Sequence, residues 1–275
     1  MISRSFATTA KYVSLLVGVV CSLTPIVVIF FASLKSDQEY ARTSPLTPPH
    51  NWLNFHNFVA AFVRGHMGLG FANTAIVLVG SLIGTILIGT MAAYALDRFD
   101  FRARKLVLAL FLVATLVPAV TTQVATYQVV NALGLTNTYW AAIVLFSGTD
   151  IVAIYIFLQF MQSIPKSLDE AAMLDGANHL TIYWRIILPV LRPAIVTVII
   201  VKGIAIYNEF YLYLLYMPSS DLQVVSTSLF RFKGPFGSEW EVIAAGIMIA
   251  ILPTLVAFLV LQRHIYNGFA AGATK

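Results

Sequence analysis

Six stretches of this 275-residue chain stay apolar for about 20 residues or more, the length needed to cross a hydrocarbon core of about 30 Å. They run from Tyr12 to Leu34, Phe71 to Leu96, Leu106 to Val130, Tyr139 to Phe160, Ala194 to Tyr216 and Val242 to Leu261. Arg4 and Lys11 precede the first, as they would a signal peptide. That stretch exceeds the usual cleaved segment and no small-x-small cleavage site follows, so it reads as a span. Glycines and prolines inside the runs (Pro25, Gly80, Gly84, Gly89, Pro118, Gly203, Gly246, Pro253) suit close helix packing and local kinks in lipid. The pattern predicts an all-α integral membrane protein of six transmembrane helices, forming a single membrane domain over residues 1–275.

The polar segments between the runs are unequal. Ser163 to Pro193 is the best punctuated. Pro165 opens it, and Ser167 with Glu170 fits a Ser-x-x-Glu capping box. Leu168, Ala171, Ala172 and Met173 then predict a short helix, ended by Gly176 in the left-handed conformation glycine tolerates. A second short helix is expected from about Leu180 to Ile187, broken at Leu188-Pro189. Two other loops are long. Lys35 to Gly70 holds Pro45, Pro48 and Pro49, then an amphipathic piece from Asn51 to Val63 bearing Trp52, Phe55, Phe58 and Phe62. That piece suits a helix on the outer membrane surface or on a partner, or one packed on its own bundle. Met217 to Glu241 is the second.

Composition agrees. Hydrophobic residues make up 59% of the chain and charged ones 11%, and no soluble domain of this size hides so much apolar surface. With both termini inside, eleven lysines and arginines fall on the inner side and five on the outer, Lys202 alone lying within a span. Arg98, Arg102, Arg104 and Lys105 crowd the short loop Asp97–Lys105 and weigh most. The loop 163–193 is therefore expected in the cytoplasm. Tyr139, Trp140, Trp184 and Tyr216 fit an aromatic belt at the span ends. Cys21 is the one cysteine, so no intrachain disulfide forms. The basic residues are not clustered among aromatics in a soluble stretch, so no nucleic-acid partner is indicated.

Catalytic constellations are missing. There is no Gly-x-x-x-x-Gly-Lys-Ser/Thr phosphate loop. His50, His56, His66, His179 and His264 are scattered rather than set out as metal ligands. No serine or cysteine has an evident base, so the chain reads as no enzyme, with no cofactor or metal of its own. Two ionisable residues stand deep inside spans: Asp150, eleven residues in from Tyr139, and Lys202, eight in from Ala194. Isolated charges there cost roughly 2.5–3.5 kcal/mol each on insertion scales. Asp150 and Lys202 are expected either to pair or to line a cavity together. Glu209, seven residues beyond Lys202 and on the same helical face, is the rival partner.

Glu170-Ala171-Ala172, Gly176 and then Ile186, Leu188 and Pro189 reproduce the EAA signature (EAA, three residues, G, nine residues, I-x-L-P) of ABC importer permeases. Asp175-Gly176-Ala177 matches its commonest form. Other runs are similar to the same family: Asn73-Thr74, Ala93-Tyr94-Ala95-Leu96-Asp97-Arg98-Phe99, Tyr207-Asn208-Glu209-Phe210, Ser228-Leu229-Phe230 to Phe236-Gly237 with Trp240, and the tail from Leu261-Gln262-Arg263 through Gly268 to Gly272-Ala273. Over essentially its whole length the chain resembles the smaller, MalG-like permease of carbohydrate importers. It departs in carrying Tyr207 where the family has tryptophan, and Lys202 where an uncharged residue is expected.

The resemblance implies a type I ABC importer fold, with the loop 163–193 as its coupling-helix loop, in the cytoplasmic membrane of a bacterium or archaeon. It implies four kinds of partner: a second, different permease; two cytoplasmic ATPase subunits that bind ATP and Mg; an extracellular binding protein; and a sugar, oligosaccharide or polyol as substrate. ATPase coupling would fall to Glu170, Ala171, Ala172, Met173, Leu174, Asp175, Gly176, Leu188 and Pro189. Ala171 and Ala172 would let the helix seat closely, with Met173 and Leu174 as its plug and Glu170 meeting a basic residue. The tail Asn267–Lys275 would reach the same interface. A substrate path would use Asp150, Lys202, Tyr207, Asn208, Glu209 and Tyr211, whose polar groups and rings suit sugar hydroxyls and faces. Asp150 and Lys202 are equally readable as a structural ion pair. The alternatives are an importer permease for a non-sugar solute, and an ion-coupled carrier motivated by Asp150, Lys202 and Glu209, against which the signature loop argues.

Overall fold

A computed structural model describes the chain except for Met1, Thr149, Pro235, Phe236, Thr274 and Lys275; side chains are described except also at 2–7, 119, 237 and 261–273. Phe236, the tail side chains from Leu261 onward and Lys275 thus lie outside the described residues. In chain order the helices are α1 (Ile2–Leu34), α2 (Asp37–Arg42), α3 (His56–Arg64), α4 (Met67–Arg98), α5 (Arg104–Leu116), α6 (Ala119–Ala132), α7 (Tyr139–Ser147) and α8 (Ile151–Met161). There follow α9 (Ser167–Leu174), α10 (His179–Ile182), a π turn (Tyr183–Ile187), α11 (Leu188–Val190), α12 (Arg192–Asn208), α13 (Tyr211–Tyr216), α14 (Val225–Ser228) and α15 (Trp240–Ala273). A two-residue antiparallel ladder, β1 (Lys233–Gly234) with β2 (Gly237–Ser238), pairs Lys233 with Ser238.

Among the described residues, three helices are long and apolar enough to cross a membrane outright: Thr8–Leu34, Met67–Arg98 and Trp240–Val260. Three bent pairs bring the total to six: α5 with α6 at 106°, α7 with α8 at 44°, and the run from α10 to α11 with α12 at 69°. The expected six crossings are reached when each bent pair is counted as one span, and those three are not straight. Pro118 ends the third run midway, because a proline lacks the N–H that would continue the helix. Gly148, at φ −51° and ψ −170°, interrupts the fourth. The fifth, expected to run to Tyr216, stops at Asn208 and restarts as α13. Tyr216, expected at a lipid interface, is buried, its ring 5.7 Å from that of Tyr127.

The chain divides into two compact units, Met1–Gly68 with Ser228–Leu255, and Leu69–Thr227 with Val256–Lys275. In the first unit, the C-terminal carbonyls of α1 are capped from a distance. Asn57 Nδ2 donates to Ser33 O at 2.9 Å and Lys35 O at 2.7 Å, and Asn54 Nδ2 to Leu34 O at 3.0 Å. This supplies partners for groups that a helix end cannot satisfy alone. Trp52 packs edge-on against Phe31, 5.7 Å between centroids. The amphipathic piece is thus seated on its own α1 by Asn57, Ala60 and Ala61, while Phe55, Val59 and Phe62 face outward. Arg64 makes a two-pronged bond to Glu239, at 2.6 and 2.8 Å.

The second unit is built on α4. Small residues let it approach α7 and α8 closely: a Cβ on Gly80 would fall 2.9 Å from Ile143 Cδ1, and one on Gly84 would land on the Ser147 hydroxyl. That hydroxyl donates to Ser81 O at 3.2 Å, and Thr85 Oγ1 to Phe146 O at 3.2 Å. Such contacts replace the hydrophobic drive that lipid cannot supply between helices. Near the other end, Asn73 Nδ2 donates to Asp221 O and Gln223 O at 2.9 and 2.8 Å, and Thr74 Oγ1 accepts from Val225 N at 3.0 Å. The Asn73-Thr74 pair therefore pins the segment after α13.

Gly84→Ala is expected to destabilise the detergent-extracted protein by about 1–3 kcal/mol, the usual range for an overpacked contact. Gly203→Ala, whose methyl meets only Leu78 Cδ1 at 3.9 Å, should leave the melting temperature unchanged or raise it slightly. Equal effects of the two would remove the case for close α4–α7 packing.

Candidate functional site: the signature loop and a buried ion pair

Pro165 and Lys166 start the signature loop. Pro165 O accepts from Leu168 N at 3.2 Å, and Lys166 O accepts from Asp169 N and Glu170 N at 3.0 and 3.1 Å. The helix therefore begins before the serine. Lys166 takes the N-cap position without a side-chain cap, and Ser167 is already inside the helix. The expected Ser167–Glu170 capping box does not form, because the proline nucleates the turn one residue early. Gly176 sits at φ +83°, and Gly176 N and Ala177 N return to Met173 O and Ala172 O at 3.0 and 2.9 Å. That closes α9 with the left-handed residue glycine best provides.

The expected break at Leu188-Pro189 does not occur there. Helix runs from His179 through a π turn at Tyr183–Ile187 and on through Pro189 to Val190. Leu188 N bonds Tyr183 O, one residue further back than in an α-helix. This wider turn accommodates the proline ring, which would clash with the carbonyl four residues before it. The bend falls instead at Leu191, ahead of Pro193.

The two faces of α9 differ sharply. Ala172 is buried in a core with Tyr94, Ile182, Tyr183 and Ile187, and Asp169 is buried as well. Leu168, Glu170, Ala171, Met173 and Asp175 are exposed, and Leu174 is 90% exposed. Leu188 is half-buried and Pro189 exposed. Of the residues singled out by the signature, then, Ala172 is the anchor, Leu188 packs partly on the same core, and Glu170, Ala171, Met173, Leu174 and Asp175 form an open apolar and acidic face.

The anchoring side chains came from elsewhere in the chain. Arg98, at the end of α4, donates to Asp97 Oδ2 at 2.7 Å and Ile164 O at 3.1 Å, and its Nε lies 2.6 Å from Asp169 Oδ2. All three charged side chains are at most 8% exposed. One turn up α4, Tyr94 stacks on Phe99 and Tyr183, centroids 5.9 and 5.6 Å apart. A turn further, Thr90 Oγ1 is 2.8 Å from the Tyr183 hydroxyl. Phe99 packs on the His179 ring at 4.9 Å. Sequence reading counted Arg98 as a topology charge and as part of a family-like run, gave it no contact, and passed over Asp169 for its neighbour Glu170. The charge adjacency Asp97-Arg98 at a span end was the available signal.

Asp150 and Lys202 do come together as an ion pair, Lys202 Nζ on Asp150 Oδ2. Asp150 also caps α8: its Oδ1 accepts from Ala153 N at 3.1 Å. Glu209 is not a rival. It lies beyond the end of α12 at φ −64° and ψ 138°, off the helical face of Lys202, and its Oε1 accepts from Phe210 N at 3.1 Å and Leu212 N at 3.0 Å. The carboxylate is used to start α13, while the Tyr213 hydroxyl donates to Ile206 O at 3.0 Å and serves the end of α12. Tyr207 is half-buried, and Asn208 and Tyr211 are exposed.

Asp150→Asn keeps a capping acceptor but strands the Lys202 ammonium, and Lys202→Met strands the carboxylate. Each is expected to lower unfolding free energy by about 1–3 kcal/mol, below the full scale for a buried pair because the Lys202 side chain is 22% exposed, with most of it regained in the double variant. Denaturant melts of the purified protein check this; strictly additive losses would mean that the two side chains do not act as a pair.

Residues 85–269 match the family described as the binding-protein-dependent transport system inner membrane component. The melibiose/raffinose/stachyose import permease protein MelC of Bacillus subtilis (strain 168) is 31% identical over 269 residues, covering 96% of each chain. The sulfoquinovosyl glycerol transport system permease protein SmoH of Agrobacterium fabrum is 28% identical over 266 residues, 96% of this chain and 93% of that one. Among solved structures, a bacterial ABC transporter involved in the import of the acidic polysaccharide alginate superposes with a TM-score of 0.83 at 21% identity, over 95% of this chain and 97% of that one. A structure of the bacterial alginate ABC transporter in complex with an alginate pentasaccharide-bound periplasmic protein gives 0.68 at 20% identity. Both share the fold. With two thirds of its length matching one family and a relative above 30% identity spanning nearly all of it, the chain belongs to the binding-protein-dependent transport system inner membrane components.

Proposed function

We propose that this chain is one membrane-spanning subunit of an ATP-driven importer for a sugar, oligosaccharide or polyol handed over by an extracellular binding protein. A second permease completes the pathway, and two cytoplasmic ATPase subunits bind ATP and Mg. The excess of Lys and Arg on one side supports placing both termini and the signature loop in the cytoplasm of a bacterial or archaeal cell. The substrate class is supported by the transport assignments of MelC and SmoH, both for glycosides.

The observation that carries the reading is the two-faced helix α9. Its Asp169 and Ala172 are locked to the body of the protein, while Leu174, Met173 and Leu168 present apolar side chains that have no use on a free surface. At eight residues it is about 12 Å long, a rigid knob sized for a cleft. Glu170 adds a charge for a basic partner residue. Closing of an ATPase pair on ATP displaces the knob, and the displacement selects between inward- and outward-open arrangements of the spans. Gly176 holds the knob's angle, because other residues are strained at its positive φ.

Glu170→Arg and Leu174→Asp change only exposed positions and should leave the permease folded. Each is expected to strip ATPase subunits from tagged protein extracted gently from its native membrane, and to cut uptake of labelled oligosaccharides at least tenfold. Wild-type protein that purifies alone and moves solute down a proton or sodium gradient would sink the reading.

A further inference from the structure

Arg98 is served unequally from its two sides. Its bond to Asp97, the preceding residue of α4, holds the guanidinium on that helix, and its bond to Ile164 O ties it to the chain just ahead of α9. Only the contact from Nε to Asp169 Oδ2 crosses to α9. That contact is short but poorly aligned: Nε makes no hydrogen bond, and neither does Asp169 Oδ1, although both atoms are buried. A guanidinium and a carboxylate are able to meet by two parallel hydrogen bonds, and this pair is not doing so. Two carboxylates also share one guanidinium in a buried site, so each weakens the other's hold.

We infer that Arg98 is the positioning residue through which movement of α9 enters the long helix α4, and that Asp169 is its detachable partner. The inference rests on reading the chain as an ATP-driven permease. Apolar packing of Ala172 and Tyr183 around Tyr94 keeps the elements together but is non-directional and tolerates sliding. The ion pair is directional, and its unused donor and acceptor give it a second, better-aligned geometry once α9 rotates. A packed interface with two discrete arrangements of this kind turns a small displacement into a switch. Tilting α9 therefore tightens or releases Asp169 on Arg98. Arg98 is rigidly tied to α4, whose Gly84 face abuts α7, so the tilt is passed along the span.

The test uses the complete complex in liposomes, with substrate-loaded binding protein. Asp169→Asn removes the cross-link but leaves Arg98 paired with Asp97, so the complex should assemble in wild-type yield. Stimulation of ATP hydrolysis by loaded binding protein, and sugar moved per ATP, should each fall at least tenfold. Asp169→Glu, which restores the charge, should recover at least half of both. Wild-type coupling in Asp169→Asn would overturn the inference. So would failure of that variant to assemble, or equal behaviour of the two variants, since either points to bulk structure rather than to the ion pair. A wild-type complex without ATP-dependent uptake would instead overturn the functional reading beneath it.

Discussion

Inside a hydrocarbon layer every interrupted helix exposes amides and carbonyls that have no water to turn to, and this chain interrupts its crossings repeatedly. At two of the interruptions a side chain supplies the missing partner. Asp150 serves the first amides of α8, Glu209 those of α13, and the Tyr213 hydroxyl the last turn of α12. At Pro189 the π turn instead shifts the bonding by one residue and makes room for the ring. Asp150, Glu209 and Tyr213 are thus employed in ending and restarting helices. Asp150 adds charge neutralisation with Lys202 to that duty.

Satisfied breaks leave stiff pieces joined at defined corners, and α4 is the longest stiff piece of its unit. Its middle carries glycine, serine and threonine against α7, where backbones come close. Its last three turns carry Thr90, Tyr94, Asp97 and Arg98, with Phe99 just beyond, and between them these hold α9, α10 and the π turn. One helix therefore touches both α7, through its small-residue face, and the signature loop, through its C-terminal turns. Packed and charged contacts thus run without a gap from α9 to α4.

Much of this was readable in advance. Six apolar runs, the spacing of the signature and the left-handed turn at Gly176 all depend on residues near one another in the chain. So did the suspicion that Asp150 and Lys202 were too costly to stand alone. The misreadings were also instructive. Ser167 and Glu170 have the spacing of a capping box, but Pro165 starts the helix first. Glu209 has the spacing of a helical neighbour of Lys202, but the helix ends before it reaches that residue.

Taken alone, the sequence determined which runs are apolar and long enough to cross a membrane, which loop is ordered, and which family it joins, because length, turn chemistry and motif spacing are local properties. Tertiary structure alone decided that Asp169 rather than Glu170 is the buried acid, that its partner is Arg98, and which face of α4 packs. Lipid and protein interior are about equally apolar, so a membrane helix carries little periodic record of the side it buries. A charge pair between the end of one span and a distant loop leaves no local mark either. Only the folded chain brings its two halves together.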